Sequence, residues 1–205
     1  MEITLDKALT AFDISKKATF RLLNEGRLLE EIASSPNLHK MKYTYLHRQA
    51  IFNLAKQLRI DITPYLTHDG EKYFMYIWFE EDVTRECHRM LNKHHKYEEG
   101  PNLDRETLVE MMLDWESARF SKVDKPLNAY QTLMKWMPTV MYEPMMATLQ
   151  EYNLDNPECG PGITEEEYAL KANAVTPAMI VEEIKQLVNL TMFNRSPPPQ
   201  NNEVI

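Results

Sequence analysis

Glycine and cysteine are scarce in this chain, with five of the first and two of the second among 205 residues. Set beside 43% hydrophobic and 10% aromatic residues, so little glycine excludes a glycine-rich chain and fits an ordinary compact globule. The length allows one domain, or one domain with an appendage, and a proper core. Cys87 and Cys159 are too few for a disulfide framework and lack the spacing of a zinc motif. Cys87 falls in a helical segment and reads as a small core hydrophobe. A reducing cytosol, and so a cytoplasmic location, is the expectation. Positive charge is in deficit, 23 Lys and Arg against 31 Asp and Glu, for a formal net charge of -8. That balance speaks against general nucleic-acid binding, which relies on cations that neutralise phosphates, and against an anionic membrane surface. Long apolar runs are missing too. No stretch approaches the ~20 residues of a membrane span, and no signal-length apolar run opens the sequence.

Alternating strand patterns and internal repeats are also absent, which leaves helix nearly end to end; the expected fold is all-α, a single-domain helical bundle. Ser15 is placed to cap a helix over 16–24, closed by Gly26. Residues 38–60 form the first long helix, with Tyr43, His47, Ile51, Leu54 and Leu58 on one stripe. After Pro64 a second helix starts near His68 and Asp69 and runs through the aromatic block at 73–79, with helix 81–95 as its continuation. Residues 98–102 read as a loop, and Asp104 caps a helix through about Phe120. A connection at 121–128 precedes a helical stretch over 130–150 with breaks at Pro138 and Pro144. A loop follows at 153–162, and Thr176 with Pro177 behind it opens the last helix. The expected organisation is an N-terminal helical extension over 1–37, a metal-binding core over 38–150, a C-terminal loop and packing helix over 151–195, and a disordered tail over 196–205.

Histidine is what the chain has in one place. Five of the six fall between His47 and His95, and correctly spaced carboxylates accompany them. In order they are His47, the His68-Asp69 pair with Lys72 behind it, then His88, Asn92, His94 and His95, and finally Glu110 and Asp114. Imidazole nitrogens suit iron, zinc or manganese, and a carboxylate can bridge two ions. Each element taken singly has a plainer reading. His47 could be a satisfied core histidine, Asp69 a helix cap, and Glu110 with Asp114 a solvated helix face. At 100° per residue His88 and His95 lie within about 20° of one another and Asn92 within about 40° of His88. On a regular helix 81–95, His94 falls about 120° away, on the packed side beside Val83, Cys87 and Met90.

The order His47, His68-Asp69, His88, His94/His95 and Asp114 resembles the HD-domain superfamily, helical proteins built around a His, His-Asp and Asp metal site. A closer likeness is to a group of small helical proteins from phage and bacterial genomes. Their motifs run HD-x-SK-F, Asn-Lys-His-His and Glu-Met-x-x-Asp-Trp. Here these read His-Asp-Gly-Glu-Lys-Tyr-Phe at 68–74, Asn-Lys-His-His at 92–95 and Glu-Met-Met-Leu-Asp-Trp at 110–115. The likeness covers roughly residues 43–135. Glu71 stands where Ser is usual, and Leu91 where an Arg often precedes the Asn-Lys-His-His run.

The resemblance implies a metal-dependent phosphohydrolase acting on a nucleotide or another small phosphate ester. His47, His68, Asp69 and Asp114 would hold one divalent ion, with His88 and His95, or His94, helping to hold a second and Asp69 bridging. Manganese, iron, zinc, magnesium, nickel and cobalt all remain open. Lys72 would stabilise charge on phosphoryl oxygens, and Glu71 or Glu110 could relay a proton. The same ligand order resembles HD-type di-iron oxygenases. A third expectation is a non-enzymatic interaction module using the Met-rich segment Met134, Met137, Met141, Met145 and Met146. A homo-oligomer is compatible with all three.

Overall fold

The structure is a computed structural model that describes residues 3–158 and 160–193, the side chains of 191–193 aside. The expected tail at 196–205 and Cys159 lie outside these residues. Among the described residues every regular element is helical, as expected, and no strand occurs. None of the helices is long and apolar enough to cross a membrane.

The first helix, α1, runs Leu5–Asn24 and starts eleven residues earlier than the sequence implies, because Thr4 and not Ser15 caps it. Ser15 is buried within the helix, where its hydroxyl donates 2.7 Å back to the Ala11 carbonyl. Gly26, at φ 72°, closes the turn into α2, Leu28–Ser34. Helix α3 spans Leu38–Gln57. A 3-10 turn at Thr63–Tyr65 then carries Pro64, and helix α4 covers only Glu71–Tyr76. The aromatic block therefore does not continue as helix. Asn37 donates from its side-chain amide to the carbonyls of Tyr76 at 3.0 Å and Phe79 at 2.9 Å, holding the chain in a bend. Helix α5 begins afresh at Glu81 and ends at Leu91.

Two 3-10 segments, Lys93–His95 and Tyr97–Asn102, lead into α6, Arg105–Ala118, whose cap Asp104 accepts from the Thr107 amide at 2.7 Å. Helix α7, Ala129–Trp136, stops before Pro138, whereas Pro144 sits without a break in the first turn of α8, Tyr142–Glu151. Helices α9, Glu165–Ala174, and α10, Pro177–Phe193, complete the chain, with Thr176 receiving the Met179 amide at the start of α10.

Two large apolar clusters divide the interior, and a smaller third one forms around Ala8, Met75 and Cys87. One joins α3 to α6, α7 and α8 through Ile51, Leu54, Met111, Met112, Leu133 and Met145. The other joins α3 to α2, α4 and α10 through Ile32, Met41, Phe74, Ile180, Ile184 and Leu187. Burial of such side chains contributes ~1.5–3 kcal/mol each and is what holds the layers together. The Met-rich segment belongs to this packing: Met141 and Met145 are fully buried and Met137 and Met146 lie against them, leaving Met134 exposed. Helix α3 thus serves both clusters, Met41 facing one and Ile51 the other. His47 sits midway between them, and the seam of the two clusters is where the histidines meet.

Candidate metal centre

Helices α3 and α6 pack against each other, and that contact brings His47 to Asp114. The His47 Nε2 atom lies 2.7 Å from Asp114 Oδ1, and its Nδ1 atom lies 3.1 Å from the Ser121 hydroxyl. One turn earlier on α6, Glu110 accepts hydrogen bonds from His68 Nδ1 at 2.8 Å and faces His94 Nδ1 at 3.1 Å. A single carboxylate therefore fixes two rings by the same edge and turns their Nε2 atoms inward. Both of these Nε2 atoms are buried and have no hydrogen-bond partner. Buried nitrogens without partners are costly, and a carboxylate on the far ring edge is the usual support of a metal-binding histidine.

Asp69 does not start a helix, as the sequence implies, but lies in the turn before α4. Its φ of 57° is left-handed, a conformation that Asp tolerates better than most residues and that costs of order 1 kcal/mol. The conformation points the carboxylate inward, where Oδ1 lies 3.3 Å from His88 Nε2 and 3.6 Å from His68 Nε2, and Oδ2 lies 4.0 Å from His47 Nε2. Lys72 Nζ donates to Oδ2 at 2.8 Å. Asp69 touches three of the histidines at once.

The remaining donors come from the end of α5, and here the regular-helix reading fails. Asn92 adopts an extended backbone, φ -109° and ψ 131°, while its side-chain amide donates to the His88 carbonyl at 2.9 Å and to Glu71 at 2.9 Å. An Asn side chain that takes over a helix carbonyl offers the backbone a way out of the helix. The chain after Leu91 turns, and His94 faces the cluster instead of the packed side. His94 is buried, its ring centroid 4.7 Å from that of His68 and 4.4 Å from that of His95. His95 Nε2 lies 2.6 Å from His88 Nε2, and its Nδ1 lies 2.9 Å from the Tyr97 hydroxyl. Glu71 accepts a short hydrogen bond from His88 Nδ1, repeating at this end the support that Glu110 gives at the other.

The electrostatics favour a cation. Burial raises the Asp69 carboxyl, but Lys72 and the surrounding histidines outweigh it and hold the group well below its ordinary value. Burial raises Asp114 in the same way, and Lys122 and His47 hold it well below. Glu110 is brought down to about 2, burial being overcome by the hydrogen bonds from His68 and His94. Burial, with Lys122 next, lowers His47 to about 4, and burial with His94 and His88 lowers His95 to about 2. His94 is the exception: burial lowers it, but the Glu110 bond more than compensates. Ionised carboxylates beside the lowered imidazoles of His47, His88 and His95 match the protonation states that a metal requires of its ligands.

Among the described residues, four groups of three donors have their ligand atoms within 4.8 Å of one another. They are His88, His94 and His95; His47, His68 and Asp69; His68, His94 and Asp114; and Asp69, Glu71 and His88. Every residue that the sequence singles out for metal binding is in this set. These buried groups can hold a metal ion, and the partnerless Nε2 atoms of His68 and His94 are where the fit shows.

Several residues of the centre carry no signal in the sequence. Arg48, buried, donates to the His68 carbonyl and to the Leu66 carbonyl at 2.9 Å, while its Nε donates to Glu183 of α10 at 3.1 Å. It clamps the His-Asp turn. Lys122 stands 3.5 Å from Asp114 and Tyr97 supports His95. Glu183 has a faint signature, an acid one turn after Ile180 beside the apolar stripe of α10. Compared with protein families, with curated proteins and with solved structures, the chain matches none.

Proposed function

We propose that the protein is a metal-dependent phosphohydrolase of HD type, acting on a nucleotide or another small phosphate ester. The observation that carries the reading is the pair of buried, partnerless Nε2 atoms of His68 and His94, both presented by Glu110. His47, His68, Asp69 and Asp114 would hold one divalent ion, and His88, His94 and His95 a second, with Asp69 between them. Such ions lower the pKa of bound water towards neutrality and polarise phosphoryl oxygens.

The chain's own cations support a phosphate and not a neutral ligand. A cavity of about 430 Å³ opens over Asp69, His88, His95 and Asp114, and six Lys and Arg side chains, Lys72 and Lys122 among them, line it against four carboxylates. Burial lowers the Lys72 ammonium, but Asp69 and Glu71 outweigh it and leave it raised, so it enters the cavity charged. Bonded to Asp69 and unsuited to ligate a cation, it would meet the phosphoryl oxygens as charge develops on them. Glu71 and Glu110 already accept from two donors each, so in this reading they position histidines instead of relaying a proton.

The test is metal analysis of protein purified without chelators, followed by phosphate release from a panel of esters after loading with Mn²⁺. Bound metal and chelator-sensitive release are expected; a metal-loaded protein that hydrolyses no ester would overturn the assignment. The imidazole-rich group His88, His94 and His95 favours one alternative, iron and dioxygen chemistry. Protein purified anaerobically that colours in air would support it.

A further inference from the structure

The cavity over the donor cluster is one of two that share a wall. The second, about 510 Å³, is lined by Tyr97, Trp115, Leu127, Trp136 and Met137, and it reaches His95, Asp114, Lys122, Asp124 and Lys125, all of which also line the first. One lobe is highly charged, with six cations against four carboxylates, and ends on the histidines. Its neighbour is aromatic and apolar. We propose that the second lobe seats the organic group of the substrate and that this group is a planar aromatic ring, with Trp136 as its main platform. The identity of the other half of the ligand, a phosphate at the charged lobe, rests on the phosphohydrolase reading.

The shared wall fixes the direction. An ester whose phosphoryl group lies against Asp114, His95 and Lys122 has its substituent at the boundary between the lobes. The apolar lobe is the one of the two that gains by covering that substituent, and its volume is in the ~300–1,000 Å³ range of small-molecule sites. Trp136 is 65% exposed, the largest uncovered aromatic surface of the described residues, with the Lys135 ammonium 4.8 Å from its ring. Trp115 is nearly buried, its ring 6.2 Å from that of Tyr97 at 57°. Tyr97 in turn bonds His95 Nδ1 at 2.9 Å, so the aromatic wall and the donor cluster are one connected structure. Flat side chains around an open slot accept another ring by stacking, with little regard to which ring it is. Lys135 and Thr132 at the rim add polar groups for ring substituents.

The experiment uses the Mn²⁺-loaded protein, Trp136→Ala and Trp136→Phe. Because Trp136 lies outside the apolar clusters, neither variant threatens the fold. Turnover of phenyl phosphate and nucleoside 5′-monophosphates is compared with that of glycerol phosphate, and calorimetry measures phenylphosphonate against methylphosphonate, which cannot be hydrolysed. The wild type should prefer the aromatic members of both sets. Trp136→Ala should reduce that preference by about tenfold, through KM and not kcat, while Trp136→Phe restores most of it. A nucleotide favoured over phenyl phosphate identifies the ring as a nucleobase, and the reverse order as a simple aryl group. If phenylphosphonate binds through Trp136 but no ester turns over, the lobe stands and the hydrolase reading falls. Hydrolysis of glycerol phosphate as good as that of the aromatic esters, or a preference that survives Trp136→Ala, would overturn the lobe and leave the hydrolase.

Discussion

Glu110 presents two imidazoles without being placed to bind the ion itself, so its loss should differ from the loss of a ligand. Glu110→Ala frees the His68 and His94 rings to turn, and metal affinity should fall by about 10–100-fold without vanishing, as read by competition with a chelating dye. Asp114→Ala should abolish both metal and turnover, since it removes one of the few carboxylates that offset a di-cation. Lys72→Ala should keep full metal occupancy and lose turnover on phosphate esters by roughly 10²–10³, the scale of one lost oxyanion donor; full activity in that variant would move the assignment towards dioxygen chemistry. The candidate donors themselves were legible in the sequence because histidine is rare and five copies share one segment. Arg48 was not, and Glu183 only faintly: they meet across 135 positions, and nothing local pairs one with the other.

Helix ends, more than helix existence, decide which side chains reach the centre. Because α5 stops at Leu91, His94→Ala should lower metal content as much as His88→Ala or His95→Ala. A regular helix through residue 95 predicts that His94 alone is dispensable, and elemental analysis of the three variants separates the outcomes. Caps made α6 and α10 readable in advance, since Asp104 and Thr176 stand where an oxygen must meet orphan amides. The aromatic block misled for a physical reason. Tyr73, Phe74, Met75 and Tyr76 are all buried, so nothing polar within the block marks a helical period, and the stop of α4 is imposed from outside by Asn37. Helix α9 is faint in the sequence for the opposite reason: none of its residues is buried, and its signature is the capping box of Thr164 and Glu167.

At the scale of the molecule, the donor cluster is a polar inclusion at the seam of two apolar clusters, and an ion there would bind the folded chain alone. Chelation should therefore lower the melting temperature by several degrees, and an unchanged curve after verified metal removal would count against the site. Glu183→Ala should destabilise the protein by about 3–5 kcal/mol in urea titration, because it leaves the Arg48 guanidinium buried with its carbonyls but without its counter-charge. The same clamp has a consequence in time. Every proposed ligand lies between residues 47 and 114, yet the turn that carries His68 and Asp69 is held from α10, by Glu183 through Arg48 and by Leu187 against Gly70. During synthesis the donors leave the ribosome long before the helix that aligns them, so the nascent chain has the ligands and not the site. A chain arrested at residue 176 should bind Mn²⁺ weakly or not at all, and metal capture should coincide with the docking of α10.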